Sequence, residues 1–283
     1  MQGKTDTSRI ERERSWHDDR FTNRPERGIA VQSFTQGLTL EALNRVYRLA
    51  KSNCVGKDVL DYGCSMGEAA LLIRKFGARS VTGIDISPVA VEQARAAARR
   101  AEFDQVTFHV MNAESLDFPD RSFDMVFGIA ILHHLDLEKA YGEIARVLRP
   151  DGMALFLEPL GHNVFINAVR RATPGSHTQD EHPLLTRDLR KCRRYFGEVG
   201  FEFVNLLTLL SAPLVALPGR ETLRRVLNTA DKAVFRVLPA SRRYAWNVVM
   251  TMRQPQSRLD SSRSESASGL GGKMRAGNRN PAA

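Results

Sequence analysis

A short loop contains the residues of this 283-residue chain that are best suited to binding a ligand. An apolar segment ends in Asp61, the loop Gly63–Gly67 follows, and an amphipathic helix is predicted from Ala69 to Phe76. Glycine lets the backbone turn with positive φ and approach a ligand closely. In an open α/β sheet, the loop at the carboxyl end of the first strand is where nucleotide-like ligands bind. The segment therefore predicts a strand, a ligand-binding loop and a helix.

A second acidic residue follows at the position where such a ligand would place its ribose. The predicted strand Ser80–Ile84 ends in Asp85. A carboxylate after the second strand can accept hydrogen bonds from both ribose hydroxyls. Asp61 and Asp85 together predict the nucleoside-binding half of an α/β sheet.

The details of the loop decide which nucleoside fits. A dinucleotide site has the pattern Gly-x-Gly-x-x-Gly, and its pyrophosphate rests on the N-terminus of the next helix. Here Ser65 occupies the position of the middle glycine, and Glu68 would repel a pyrophosphate at the start of the helix. The carboxylate of Asp61 suits a ligand with a cationic amine or sulfonium instead. We expect Ser65 to be accommodated in the loop with a negative φ.

These residues resemble motif I (D-x-G-x-G-x-G) of the class I S-adenosylmethionine-dependent methyltransferases, with Ser65 in place of one glycine. Further motifs of the type 11 small-molecule subgroup follow in the same order, up to about Asn163. Phe108–Val126 is similar to the region that packs the adenine, Gly128–Leu135 to the loop below the donor sulfur, and Glu143–Gly152 to the helix and turn beyond it. The resemblance implies an enzyme that transfers a methyl group from S-adenosylmethionine.

The predicted elements alternate as in an α/β protein. Strands are predicted at Asp58–Asp61, Ser80–Asp85, Val106–Met111, Phe123–Gly128, Met153–Glu158, Phe201–Leu207 and Ala245–Met252. Helices are predicted at Val89–Ala101, after Ser87 and Pro88, at Leu137–Leu148 and at Thr186–Phe196, with a turn at Arg149–Gly152. The resemblance implies a Rossmann-like, seven-stranded, mostly parallel sheet with helices on both faces and an antiparallel last strand.

Composition divides the chain into three parts. Residues 1–35 are expected to be a polar, helical extension, and residues 36–254 the methyltransferase domain, with substrate-side insertions at about 160–185 and 211–243. Residues 255–283 are rich in Ser, Gly and Arg, with five basic and two acidic residues. A segment with so few apolar residues cannot form a core, so we expect a disordered basic tail.

The resemblance also implies which residues bind the cofactor. We expect these to be Asp61, Gly63, Cys64, Ser65, Gly67, Asp85, Ile86, Asn112, Ala113, Glu114, Gly128 and Ala130. Asn112 stands where the family commonly has Asp. Its carbonyl oxygen can still accept a hydrogen bond from the adenine amine, although without the negative charge.

Four titratable side chains follow predicted strands four and five, where an acceptor must lie. They are His133, His134, Glu158 and His162. Holding the acceptor in line with the methyl group supplies much of the catalysis, and a general base helps only when the acceptor must lose a proton. The candidates therefore act either as an acid or base or as residues that shape the pocket. The same four residues have the right types for zinc, but their spacing does not require it, and we expect no metal.

The formal charge of +9 and the pI of about 9.8 raise the question of nucleic-acid binding. Amino-methylating nucleic-acid enzymes have an Asn/Asp-Pro-Pro-aromatic motif after strand four, where this chain has Gly128–Ile131. We therefore expect a small-molecule acceptor, with the methyl group going to a hydroxyl of a secondary metabolite, lipid or quinone-like compound. The alternatives are a nucleic-acid methyltransferase and a non-catalytic S-adenosylmethionine-binding fold.

The two insertions and the cellular location are less constrained. Residues 206–225 contain an apolar run followed by arginines. This pattern predicts a buried lid element, an apolar mouth that admits a lipophilic acceptor, or weak contact with a membrane interface. The first insertion contains Glu181 and His182, in a segment that either contacts the substrate or forms an ordered loop. There is no 18-residue apolar run and no apolar signal segment, and the three cysteines are dispersed. These features favour a cytoplasmic protein, with peripheral membrane contact as the alternative.

Overall fold

A computed structural model describes residues 2–23, 27–173, 177–178, 180–214 and 219–256. Seven strands form one sheet in the order β3-β2-β1-β4-β5-β7-β6. They are β1 (Asp58–Tyr62), β2 (Ser80–Asp85), β3 (Val106–Val110), β4 (Phe123–Ile129), β5 (Leu148–Pro159), β6 (Phe196–Val204) and β7 (Asn247–Pro255). Strands β1 to β5 pair in parallel, whereas β7 is antiparallel to both of its neighbours, β5 and β6. The predicted fold class is confirmed.

Helices surround the sheet. They are α1 (Gln2–Asn23), α2 (Arg27–Asn53), α3 (Glu68–Lys75), α4 (Pro88–Arg100), α5 (Leu137–Val147), α6 (Val164–Ala172), α7 (Thr186–Leu189) and α8 (Arg220–Val237). Short 3₁₀ helices cover Leu132–His134, Lys191–Arg194, Leu207–Leu214 and Pro239–Tyr244. Within the part of the chain that the structure describes, none of the helices has the length and apolar character needed to span a bilayer.

Each face of the sheet has its own apolar core, because successive side chains of a strand point to opposite faces. On one face, Tyr62 packs edge-on against Phe156, in a cluster that includes Tyr141 of α5. On the other face, Phe127 lies in a cluster that includes residues of α2, α3 and α4. The two layers fix the strands, and with them the loops that leave their carboxyl ends.

Several predicted element boundaries are wrong near β5 and β6. Strand β5 begins at Leu148, opposite Phe123, and therefore includes Arg149–Gly152, which we expected to be a turn. Pairing with β4 continues past that point, with a register shift between Phe123 and Met125.

The predictions for the last two strands and the helix before them also need correction. Strand β6 covers 196–204 rather than 201–207, because Gly197 and Gly200 weaken the local strand pattern while the backbone still pairs with β7. Since Phe196 is already in the sheet, the helix predicted at 186–196 is reduced to α7 and a 3₁₀ turn. Strand β7 runs from Asn247 to Pro255 rather than from 245 to 252.

The division of the chain into an N-terminal extension, a methyltransferase domain and a C-terminal tail stays a prediction. Helix α2 continues across residue 35 and places Ala42 and Val46 in the core. Residues 257–283 of the predicted tail lie outside the described residues. In the segment 206–225, Leu209 is buried and Leu210 is 65% exposed, and residues 215–218 lie outside the described part. The expected membrane contact of this segment stays a prediction.

Candidate functional site

A cavity of about 230 Å³ lies where strands β1 to β4 end, and α1 covers it. Ligands of open α/β sheets bind in the crevice at the carboxyl ends of the strands. Eight of the predicted cofactor residues line this cavity: Gly63, Ser65, Asp85, Ile86, Asn112, Ala113, Glu114 and Ala130. Asp61, Cys64, Gly67 and Gly128 are not among its lining residues. The structure therefore brings together residues that lie almost 70 positions apart in the sequence.

The loop after β1 has three residues in the left-handed region. Gly63, Ser65 and Gly67 have φ values of 79°, 49° and 87°. The expectation of a negative φ at Ser65 is wrong, because the loop turns so that the Ser65 N–H donates to Asp85 Oδ2 over 2.9 Å. Gly67 must be glycine for a second reason: a Cβ there would lie 2.8 Å from the Phe108 ring. The loop is thus shaped by close backbone contacts with β2 and β3.

Asp85, at the end of β2, can accept more hydrogen bonds than it accepts within the protein. Its Oδ2 accepts from the Ser65 N–H and its Oδ1 from the Ser87 N–H, both over 2.9 Å. Burial raises the pKa of this carboxyl, and the backbone hydrogen bonds oppose that shift. Because each carboxylate oxygen has two lone pairs, each can accept one further hydrogen bond. The geometry suits two neighbouring hydroxyls.

Asp61 is a buried acid with an unsatisfied oxygen. It is 2% exposed, and its Oδ2 has no hydrogen-bond partner among the described residues. Burial, reinforced by the negative charge of Asp85, raises the pKa of Asp61 to about 7. A cationic group of a ligand near the β1 loop would stabilise the ionised form.

The loop after β3 also lines the cavity. Asn112 Oδ1 accepts from the Glu114 N–H over 2.9 Å, which fixes the amide and leaves one lone pair of the oxygen for a ligand. Glu114 also lines the cavity, but its carboxylate accepts from Arg9 Nη2 and, over 2.7 Å, from the Asp136 N–H. Its negative charge therefore interacts with groups of the protein itself, on α1 and at the start of α5.

Two of the four catalytic candidates form a buried pair outside the cavity lining. Glu158 is fully buried, and its Oε1 accepts from the N–H groups of Ile131 and Leu132 over 2.9 and 2.8 Å. Its Oε2 lies 2.8 Å from His133 Nδ1. Burial lowers the pKa of His133, whereas its bond to Glu158 raises it. These contacts give both residues a positioning function in the loop after β4.

The other two candidates are separated from each other. His162 lies outside the cavity lining, and its Nε2 accepts from the Thr186 N–H over 3.3 Å. His134 lines the cavity, with Nδ1 3.1 Å from Glu13 Oε2 and its ring centroid 5.4 Å from that of His17. Of the four, only His134 is placed to contact a molecule in this cavity.

The cover formed by α1 was missed by the sequence analysis. Six residues of this helix line the cavity: Arg9, Ile10, Glu13, His17, Arg20 and Phe21. Their spacing of three and four places them on one helix face, which is the available signal. The face is mostly polar, however, so it does not produce the apolar stripe from which a packed helix is predicted.

Polar contacts of three of its residues hold α1 in place. Arg9 bonds Glu114 and, through Nη1, the His134 carbonyl oxygen at 2.8 Å. Asp18 accepts a hydrogen bond from the Ser87 hydroxyl at the start of α4. Arg12 forms a two-bond ion pair with Asp180, at 2.9 and 2.8 Å, on the exposed side of the helix.

The cysteines do not contribute to the chemistry of the site. All three are buried and free. Burial raises the pKa of the Cys64 thiol well above its ordinary value, so this residue is a small packing group in the β1 loop.

The chain is similar in sequence to known methyltransferases. Residues 60–156 match the family described as "Methyltransferase domain". The chain is 31% identical over 197 residues to 24-methylenesterol C-methyltransferase 2 of Oryza sativa subsp. japonica, covering 65% of this chain and 52% of that protein. It is 41% identical over 99 residues to 27-O-demethylrifamycin SV methyltransferase of Amycolatopsis mediterranei, covering 34% of this chain and 36% of that protein. The chain thus spans about half, or less, of the length of these relatives.

A solved structure shows the same fold. It is Haemonchus contortus phosphoethanolamine N-methyltransferase 2, in complex with phosphomonomethylethanolamine and S-adenosylhomocysteine. The TM-score is 0.55 at 21% identity, over 75% of this chain and 53% of that one. At this level of identity the likeness concerns the fold alone.

Proposed function

We propose that this protein, whose residues 60–156 form a class I S-adenosylmethionine-dependent methyltransferase domain, transfers a methyl group from S-adenosylmethionine to a small-molecule acceptor. The observation that carries the proposal is the cavity at the ends of β1 to β4, with Asp85 at its edge and the unsatisfied Asp61 behind the loop. The two relatives described above, named as a sterol and a rifamycin methyltransferase, support a small-molecule acceptor.

The described residues fit the methyl donor at three points. Asp85 has one lone pair free on each oxygen for the ribose hydroxyls, and Asn112 has one for the adenine amine. The Gly63–Gly67 loop would hold the methionine part, whose positive charge Asp61 would offset. The cofactor supplies an activated methyl group on sulfur, and its reaction with an acceptor is an in-line displacement.

The acceptor would lie between the loop after β4 and α1. Ile10, Phe21 and Leu135 give this part of the cavity apolar walls, whereas Glu13 and His134 give it a polar end. An acceptor with an apolar body and one hydroxyl fits such a surface. Alignment of that hydroxyl with the methyl group would provide much of the rate, and closure by α1 would exclude water.

The function is tested with labelled S-adenosylmethionine and a panel of hydroxylated metabolites, quinols and lipids, with products identified by mass spectrometry. We expect label in at least one acceptor of the panel and S-adenosylhomocysteine in equal amount. Cofactor binding without label transfer to any acceptor would contradict the proposal and favour a non-catalytic binding protein. Label transfer to RNA alone would favour the nucleic-acid alternative.

Asp85→Ala is expected to weaken S-adenosylmethionine binding by about 1.5–3 kcal/mol, because hydrogen bonds to a charged acceptor are lost. Calorimetric titration of the variant measures the change. Asp104→Ala is the matched control, since Asp104 is exposed and lies before β3, away from the cavity lining. Equal affinity of the Asp85 variant and the wild type would show that the ribose does not contact this carboxylate.

Arg9→Ala is expected to speed up cofactor release by lowering its activation free energy by about 1–3 kcal/mol. The variant removes the cation that pairs with Glu114 and the bond that joins α1 to the His134 carbonyl oxygen. Arg12→Ala is the control on the same helix. Its pair with Asp180 is exposed, and solvent weakens exposed ion pairs of this kind. Stopped-flow measurement of cofactor dissociation compares the two variants, and equal rates would contradict the closing function of α1.

A further inference from the structure

Three side chains from two elements converge at the polar end of the cavity. Glu13 and His17 lie one turn apart on α1, and His134 lies in the loop after β4. Glu13 Oε2 is 3.1 Å from His134 Nδ1 and 3.7 Å from His17 Nε2. Each residue offers a ligand atom, and these atoms all lie within 4.8 Å of one another. All three residues line the cavity.

Two of these atoms are buried without a hydrogen-bond partner. Within the described part of the chain, neither Glu13 Oε2 nor His134 Nδ1 has one, and the two atoms lie 3.1 Å from each other as an ion-pair contact. The Glu13 side chain is only 6% exposed. Its other oxygen, Oε1, accepts from the Thr178 hydroxyl over 2.6 Å, which fixes the carboxylate with Oε2 directed at the two imidazoles.

An imidazole binds a metal ion through the lone pair of a ring nitrogen, and both histidines offer such a nitrogen at this end of the cavity. Arg9 also lines this cavity, and its charge is paired with that of Glu114. Arg20 lines the same cavity, and its positive charge opposes the binding of a metal cation there.

We propose that Glu13, His17 and His134 bind one divalent transition-metal ion at the acceptor end of the cavity. Two imidazoles and one carboxylate are the ligand set of zinc and of non-haem iron or cobalt, whereas magnesium and calcium prefer oxygen ligands. A tetrahedral ion at about 2.0–2.1 Å from each ligand needs ligand atoms about 3.3 Å apart. Two of the three separations, 3.1 and 3.7 Å, are close to this value, and the third, between the two histidines, is within 4.8 Å.

A neighbouring group of ligand type, His133, His134 and Glu181, is less suited to the ion. Glu181 already pairs with Arg170 and His177, and His133 uses Nδ1 to contact Glu158. His133 instead packs on His134, with ring centroids 4.2 Å apart, and holds it in place. His134 belongs to both groups. Because Glu181 and His133 are engaged elsewhere, we place the ion between His134 and the two ligands on α1.

Three protein ligands leave coordination positions open toward the cavity. This step rests on the proposed function: an acceptor hydroxyl that occupies such a position would lose its proton more readily and would be fixed relative to the methyl group. The ion would also join α1 to the loop after β4, so that the site is complete only when the cover is closed.

The test is a titration of the full-length, chelator-treated protein with Co²⁺, followed by the visible absorption of the bound ion. We expect saturation at one equivalent. Glu13→Gln and His17→Gln are expected to weaken binding by more than about 100-fold, beyond the 10–100-fold typical of residues outside the ligand set. His109→Gln is the control, because His109 is exposed on β3, away from the cavity lining.

Circular dichroism and binding of S-adenosylmethionine to the metal-free variants establish that they are folded. The absence of one-equivalent saturation in the wild type would overturn the proposal, and so would wild-type binding by both ligand variants. Because cofactor binding is measured without metal and metal binding without cofactor, failure of the metal site is distinguishable from failure of the proposed methyl transfer.

Discussion

Asp61→Asn is expected to shift the stability of the ligand-free protein relative to the wild type by roughly 4 kcal/mol between about pH 4 and pH 8. Burial raises the pKa of Asp61 to about 7 from its ordinary value of 3.8. The folded state therefore binds a proton more tightly than the unfolded state. As pH rises from the unfolded to the folded pKa, the wild type loses stability from this group, and above about pH 7 the full loss is present. The amide does not ionise, so the variant does not lose it.

The same substitution is expected to weaken S-adenosylmethionine binding, because it removes the negative charge that would offset the cationic ligand. In the wild type, cofactor affinity should fall as pH drops below about 7 and Asp61 becomes protonated. In the variant, this pH dependence should be reduced. Chemical denaturation and calorimetric titration at a series of pH values measure both effects.

Asp58→Asn is the matched control in the same strand. The Arg79 guanidinium holds the pKa of Asp58 well below its usual range, so this group stabilises the fold above the pKa it has in the unfolded chain, and loses that effect as pH falls. Its variant should therefore lose stability at neutral pH, with the opposite sign to Asp61→Asn. Parallel pH profiles for the two variants would contradict the assignment of a buried, unsatisfied charge at Asp61.

Glu158→Ala is expected to lower the free energy of unfolding by about 3–5 kcal/mol, the range for removing one partner of a buried pair. Three groups would lose their acceptor: the N–H groups of Ile131 and Leu132, and the ring of His133. Glu158→Gln should lose less, because its amide oxygen can still accept from the two backbone groups. Denaturant unfolding compares the variants, with Glu198→Ala on the exposed face of β6 as control.

The catalytic rate of the Glu158→Gln variant shows whether Glu158 acts as a general base or only positions the loop after β4. A general base typically contributes about 10²–10⁴-fold, and the glutamine variant would lose that entire factor if Glu158 were the base. The contacts of Glu158 lie within the protein, so we expect Glu158→Gln to retain most of its activity at a temperature where it is folded. A loss of the full factor without a loss of stability would show that the carboxylate acts on the acceptor.

The parts of the site that follow from local sequence were predictable. The Gly63–Gly67 loop and the acids at the ends of β1 and β2 are adjacent to their own strands, and the residue types alone predict an α/β nucleoside site. The sign of φ at Ser65 was not predictable in this way. It depends on a bond to Asp85, which is 20 residues further along the chain.

The parts that depend on distant contacts were not predicted. The polar face of α1 has no apolar stripe, and its meaning comes from Glu114 and His134, more than 100 residues away. Strand β6 was misplaced because Gly197 and Gly200 conceal a strand whose stability comes from pairing with β7. Similarly, Glu158 has the residue type of a catalytic acid, and only its hydrogen bonds identify its positioning function.

The position of β7 between β5 and β6 has a consequence for the order of folding. Strands β1 to β5 can pair with one another as soon as residues up to 159 are available. Strand β6 pairs only with β7 among the described strands, so it must wait for a segment that follows it by more than 40 residues. Until then, β5 and β6 both present open edges, which are the sites where a chain can pair with other chains. During synthesis on the ribosome, this late insertion would be the interval in which the protein most needs protection from aggregation.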